Sequence, residues 1–351
     1  MKTRTPGRSA ALPLIGAAMT MRMYWGLSLD FHYALNAIWL CPVLGLIIYL
    51  PFAFALRQAA GLGNSSPWEN LSRRAPGGVM NAAAAGFALL LIYDAAATVQ
   101  LMALSSNVLA LNDVSPMLLI LPLALVILCV VKLGMDALGN SARLWLRVLP
   151  VFVIVILIVQ SKSYRFGWLT PVLGGGMPGI VSGGVYCAGC MALLTLAWLL
   201  ALPDRRAGGL LPCAALSAAA TALLMLSQQL LNPPMMGTVL NTAARIDLIL
   251  NNGRMTLSPQ IIVDVLWFGN MLYLISAEAV AAAEYVRMIA PKIPVWPLAA
   301  GVALVIGASA AQNGAWLRAN PTVVCNLFAV IGAAFALLLL IAIFRRRGGT
   351  A

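Results

Sequence analysis

Ten apolar runs, each about as long as a helix needs to cross a lipid bilayer, succeed one another along this chain. They fall at roughly 9–26, 34–56, 79–104, 115–133, 144–160, 176–202, 208–231, 259–283, 294–312 and 321–344. Backbone groups placed in lipid must find hydrogen bonds inside their own segment, so these runs are expected as helices. Of the 351 residues 62% are hydrophobic and 9% charged, whereas a soluble domain is about 45–50% apolar and about a quarter charged. The expectation is an all-α integral membrane protein with about ten transmembrane helices, built as a single polytopic domain over 1–351.

Lys2, Arg4 and Arg8 ahead of "SAALPLIGAAMTM" resemble the start of a signal peptide. Nine further apolar runs follow, so this stretch is read as a retained first helix. With the N-terminus inside, the outer face receives Arg22, Lys162, Arg165, Arg245, Arg254 and Arg318, and the other sixteen of the 22 Lys and Arg fall inside. That bias places both termini in the cytoplasm and favours an even number of spans. The net charge of +12 is read the same way, as topology and anionic lipid contact, with no nucleic-acid partner expected. The longest loops, about 57–78 inside and 232–258 outside, leave no room for a soluble domain, though the outer one has the pattern of a short surface helix carrying Arg245 and Asp247.

Signs of catalysis are missing. The sequence has no phosphate-binding loop, no metal triad and no nucleophile–base pair, and its one histidine, His32, lies near a helix end. Six cysteines all fall in apolar runs, where they read as small buried hydrophobes. Cys187 and Cys190 have CxxC spacing but no second Cys or His pair. No enzymatic activity, metal or cofactor is expected.

Polar groups inside the runs therefore carry the functional question, because a charge at the bilayer centre costs about 2.5–3.5 kcal/mol and seeks a cavity or a partner. Asp94 lies near the middle of span 3, with Thr98 one turn on along the same face and a small-residue face at Ala82, Ala83 and Gly86. Two readings compete: Asp94 meets a ligand amine, a cation or a proton in a central cavity, or it is a structural ion pair or a protonated acid. In span 8, Asp264, Trp267 or Phe268, Met271 and Glu278 share a face that mixes acids and aromatics, as a cavity wall would. Asp264 is near the outer end, where plain solvation is the alternative. Glu278 and Glu284 lie toward the inner end near Arg287, where ion pairing is the default. Arg22 either snorkels outward toward Asp30 or pairs with an intramembrane acid.

Span 6 opens "MPGIVSGGVYCAGC", with Gly179, Gly183, Gly184 and Gly189 close together. Either the glycines allow close packing, or the helix is broken and its free backbone groups bind a ligand. In a five-plus-five inverted repeat its counterpart is span 1, which offers Gly16 and Gly26 but no clear break.

The segment "MDALGNSARLWLRVLPVFVIVILIVQSKSYRFGWLTPVLGGGMPGIVSGG", Met135 to Gly184, resembles the spore germination permease family, the B subunits of nutrient germinant receptors. The matching residues are Gly139, Arg143, Pro150, Leu169, Pro171, Val172, Leu173 and Gly176, followed by Ala244, Arg245, Gly253 and Arg254 in "NTAARIDLILNNGR" and by "ALNAIW" from Ala34 to Trp39. The family's first helix usually has Gly then Pro where it unwinds, and "MRMYWGLSLDFHYAL" has no Pro. Where the family often has F-G-E in span 6, this chain reads "AGC" from Ala188 to Cys190.

The resemblance implies membership of the amino acid–polyamine–organocation superfamily, with repeat halves at about 9–160 and 176–344 and broken helices 1 and 6. It implies a subunit of the bacterial cytoplasmic, or spore inner, membrane that binds a small nutrient, an amino acid, and signals to partner subunits. The implied ligand site gathers Asp94, Thr98, Gly183, Gly184, Tyr186, Asp264 and Phe268. The alternative on the same fold is a proton- or sodium-coupled amino acid transporter working through Asp94. A third class is a membrane scaffold that only assembles partners.

Overall fold

The computed structural model describes residues 32–60, 76–108, 116–161, 164–170, 176–199, 210–231 and 260–309, with 68 and 72. In the first apolar run it describes 16, 18–20, 22–24, 26 and 27, all of them helical. Among the described residues there is no strand. A 3-10 segment, His32–Leu40, leads directly into α1, Cys41–Ala60. Then come α2, Gly77–Val108; α3, Pro116–Gln160; and α4, Gly176–Leu199. The last three are α5, Leu210–Leu231; α6, Gln260–Ile289; and α7, Val295–Ser309.

Four of these helical stretches are long and apolar enough to cross a membrane: Asn36–Ala55, Gly77–Gln100, Gly176–Leu193 and Leu210–Ser227. Leu121–Met135 and Val295–Ala308 are shorter apolar helices. They fall on the second, third, sixth, seventh, fourth and ninth expected runs. The tenth run and the loop 232–258, with Arg245 and Asp247, lie outside the described residues. Ile47, Leu89, Leu216 and Leu304 point outward and are each more than half exposed. In water such apolar surface would be a liability, whereas in a bilayer it faces lipid tails.

The 45 residues of α3 would make a rod about 68 Å long, roughly twice a bilayer core. It is two arms meeting at Gly134, where φ is 75° and ψ is −176°. The arms carry the fourth and fifth expected runs, and the connection is this single glycine rather than a loop. The next reversal is also short. Ala290 N–H donates to the Val286 carbonyl at 2.9 Å and Ile293 N–H to that of Ala290 at 3.1 Å, turning α6 into α7 between Pro291 and Pro294.

The helices sort into two groups. In one, α2 and α6 pack along each other, α6 also packs against α3, α2 against α7, and α3 and α7 against each other. In the other, α1 packs on α4 and α5, with the 3-10 segment against α4 and α5. The first apolar run lies in the second group, and its described residues from 18 to 27 are buried: Met19, Met23 and Leu27 are fully enclosed. Hydroxyl groups fasten it to α5: Ser217 donates to the Gly16 carbonyl at 2.7 Å, and Thr221 to that of Thr20 at 3.4 Å.

Two readings of small residues are settled by this packing. Among the described residues, the face Ala82, Ala83 and Gly86 is only partly covered: Ala83 packs against the core, whereas Ala82 is exposed and a side chain built on Gly86 would meet nothing within 4 Å. The buried stripe of α2 is instead Ala84, Phe87, Ala88, Leu91 and Ala95. Its turn-by-turn spacing, with alanines between larger groups, lets α6 approach. In span 6 the glycines are packing sites. α4 runs from Gly176 to Leu199 as one continuous helix, so the broken helix expected here is replaced by close contact.

Candidate functional site

The centre of the site is an ion pair. Arg22 donates from Nε to Asp94 Oδ2 at 3.2 Å and from Nη2 to Asp94 Oδ1 at 2.5 Å. Both residues are almost completely buried, Arg22 2% and Asp94 1% exposed, so the pair is shut off from the surroundings. Of the two readings open for Arg22, pairing with an intramembrane acid is the one realised. It therefore leaves the set of outer cations. Asp94 is correspondingly not a vacant carboxylate facing a cavity, because a guanidinium already occupies both its oxygens.

The pair is framed by α4. The Tyr186 hydroxyl donates to the Arg22 backbone carbonyl at 3.3 Å, and the guanidinium carbon lies 6.0 Å from the Tyr186 ring centre. A Cβ on Gly26 would overlap this Tyr186 hydroxyl, so glycine at 26 is what lets the ring lie along the first run. Gly183 and Gly184 do the same work for the neighbouring turn. A Cβ on Gly183 would come within 2.5 Å of Cys41 Sγ, and one on Gly184 within 2.9 Å of Leu44. Their expected role, offering free backbone groups to a ligand, is not what they do. They close space rather than open it.

Thr98 also turns inward on its own helix. It is fully buried, and its hydroxyl donates to the Asp94 carbonyl at 2.9 Å. Asp264 and Phe268 are on α6, but their side chains lie outside the described residues. Cys187 and Cys190, the CxxC pair, are buried thiols within α4.

The residue that sequence reasoning misplaced is Glu278. Expected near Arg287 at the inner end, it is instead fully buried, while Arg287 is exposed. It lies close enough to Asp94 and Arg22 for both charges to act on it. Its position follows from helix geometry. Phe87 of α2 and Tyr285 of α6 meet edge to face, ring centres 5.6 Å apart. Asp94 is seven residues on from Phe87, and Glu278 seven residues back from Tyr285. On antiparallel helices both steps run two turns in the same direction, about 10 Å, which brings the two carboxyls level. No donor among the described residues reaches either carboxyl oxygen of Glu278, and its carboxyl stands within hydrogen-bond reach of that of Asp94. A signal was present in the sequence: Glu278 sits in a run of small residues, Ala277, Ala279 and Ala281 to Ala283, the composition of a helix–helix contact.

Below this level an aromatic cluster closes the bundle. Trp68, which precedes α2 and is itself helical, stands edge-on to Phe87 at 6.0 Å and to Tyr285 at 5.1 Å between ring centres. The Tyr285 hydroxyl donates to the Leu196 carbonyl of α4 at 2.8 Å, a second link between the two helix groups. The site is thus a buried cluster of one cation and two acids at the junction of the groups, sealed on one side by aromatic rings. Such an arrangement can exchange its partners for those of a charged small molecule, and it can hold a proton.

No protein-family model matches this chain, and no curated protein matches it either.

Proposed function

We propose that this chain is a membrane subunit of the spore germinant receptor type, which takes an amino-acid nutrient at the Arg22–Asp94 pair and relays the change to partner subunits. The observation that carries this is the pair itself: opposite charges, fully buried, one from each helix group. An amino acid brings the same two charges. Its carboxylate can replace Asp94 on Arg22 while its ammonium replaces Arg22 on Asp94, so every buried charge keeps a partner. A ligand with only one of these charges would leave one side unpaired, which costs about 3–5 kcal/mol in a buried pair. The site therefore selects zwitterions over sugars and nucleosides.

Opening the pair separates the first run from α2, and with them the two groups of helices. A ligand drives this only as far as it prefers the opened state. The resemblance of Met135–Gly184 to the germination permeases points to the same class. So does the contact between the first run and α4, the segments that a five-plus-five repeat would make counterparts. The bilayer reading rests on the apolar helices and their outward leucines. Lys132, whose Nζ stands 4.3 Å from the Trp296 ring centre, supplies the basic and aromatic pairing of a membrane interface and suits the cytoplasmic side.

Purified protein in detergent, melted against a panel of amino acids, sugars and nucleosides, tests the reading. An amino acid at a hundred times its Kd should add about 2.7 kcal/mol of stability. Asp94→Asn should abolish that shift. A panel in which no amino acid stabilises the wild type sinks the nutrient site. A second reading, a proton-coupled amino acid carrier, is favoured by Glu278 beside the pair. Uptake into proteoliposomes separates carrier from receptor.

A further inference from the structure

We propose that Glu278 holds an exchangeable proton in the folded chain, so that Arg22, Asp94 and Glu278 together form a proton-binding site. This inference needs neither the receptor nor the carrier reading, since either protein would contain the site. Arg22 supplies one positive charge, and both of its observed contacts go to Asp94. A second carboxylate at the same level would leave one negative charge fully enclosed with no counter-ion. Two carboxyls sharing one site do not both ionise, because each charge disfavours the other and burial disfavours both. Asp94 is already committed to the guanidinium and no donor among the described residues reaches Glu278, so Glu278 is the member that carries the proton.

The surroundings offer no substitute cation among the described residues. The first run presents Arg22. α2 presents Asp94, with Tyr93 next to it. α4 presents Tyr186 and Cys190, which face the guanidinium. On α3, Lys132 is exposed and stacked over Trp296. The described part of α7 has no ionisable side chain. Further along α6, Glu284 is half-buried and Arg287 exposed, both more than a turn from Glu278. Loss of the proton sets two like charges between α2 and α6, so the site links proton release to loosening of their contact.

The test uses full-length protein in lipid nanodiscs, with no nutrient present, so that failure of the nutrient reading leaves it untouched. Infrared spectra at neutral pH should show the carbonyl band of one buried protonated carboxylic acid. The band should disappear in Glu278→Gln. It should also disappear in Asp94→Asn, where Glu278 inherits Arg22 and ionises. A parallel measurement follows unfolding from mildly acidic to mildly alkaline pH. The folded chain keeps a proton that the unfolded chain has released, so the folding equilibrium constant should fall as pH rises, by up to tenfold per pH unit. In Glu278→Gln that dependence should flatten. The proposal is overturned if wild type shows no such band, or if the band survives in Glu278→Gln. If that variant does not fold, the wild-type spectrum and Asp94→Asn decide alone. It is equally overturned if replacing sodium by a bulky organic cation changes the spectrum as the loss of a bound ion would, because the neutralising species is then a metal ion.

Discussion

Arg22 holds Asp94 by two hydrogen bonds that cross from one group of helices to the other, joining residues 72 apart in sequence. Breaking such a pair on one side is costly, whereas replacing both members with apolar groups is often neutral. Arg22→Met should therefore lower stability by about 3–5 kcal/mol, since it strands Asp94. The double variant Arg22→Met with Asp94→Leu should regain most of that loss. Thermal unfolding of the two single variants and the double one measures the coupling, and simple additivity would mean that the pair contributes nothing as a pair.

Two glycines in similar helical settings should respond in opposite ways. Gly26→Ala drives a methyl into the Tyr186 hydroxyl and should cost about 1–3 kcal/mol through overpacking. Gly86→Ala meets open space and should stay within about 0.5 kcal/mol of wild type. Comparing the two melting curves also checks that the first run and α4 touch where the structure has them.

Gly134 adopts φ 75° and ψ −176°, a region essentially closed to residues with a Cβ. Gly134→Ala should cost about 1–3 kcal/mol even though no atom stands within 4 Å of the added methyl. The loss would come from the backbone alone. A variant as stable as wild type would show that the two arms of α3 do not need this elbow.

Tyr285→Phe removes the donor to the Leu196 carbonyl while keeping the ring in its cluster with Trp68 and Phe87. The expected cost is about 1–3 kcal/mol, that of a buried group left without its partner. Trp68→Ala should cost more, about 3–5 kcal/mol, as a large buried side chain is deleted. Equal effects from the two would indicate that the hydrogen bond, and not the ring packing, fastens this end.

The helical segments were legible because apolar length is a one-dimensional signal. Asn36–Ala55 and Leu210–Ser227 fall within the expected runs. Asp94 also stood out, as an acid in the middle of such a run. Its partner did not, because pairing over 72 residues is a property of three-dimensional packing. Glu278 was misread for the same reason: Arg287 is its neighbour on the chain, but Asp94 is its neighbour across the helix contact. The glycines of α4 look alike in sequence whether a helix is broken or tightly packed, and only the positions of Cys41 and Leu44 separate the two. The elbow at Gly134 had no sequence cue beyond a glycine following Lys132 and Leu133.

The separation between Arg22 and Asp94 has a consequence for biosynthesis. Ribosomes add about 5–20 residues per second, so Arg22 is made roughly 4–14 seconds before the carboxylate that neutralises it. During that interval the nascent first segment carries a guanidinium whose counter-charge has not yet been made. The guanidinium meets its counter-charge only when α2 arrives, which ties the placement of the first segment to that of α2.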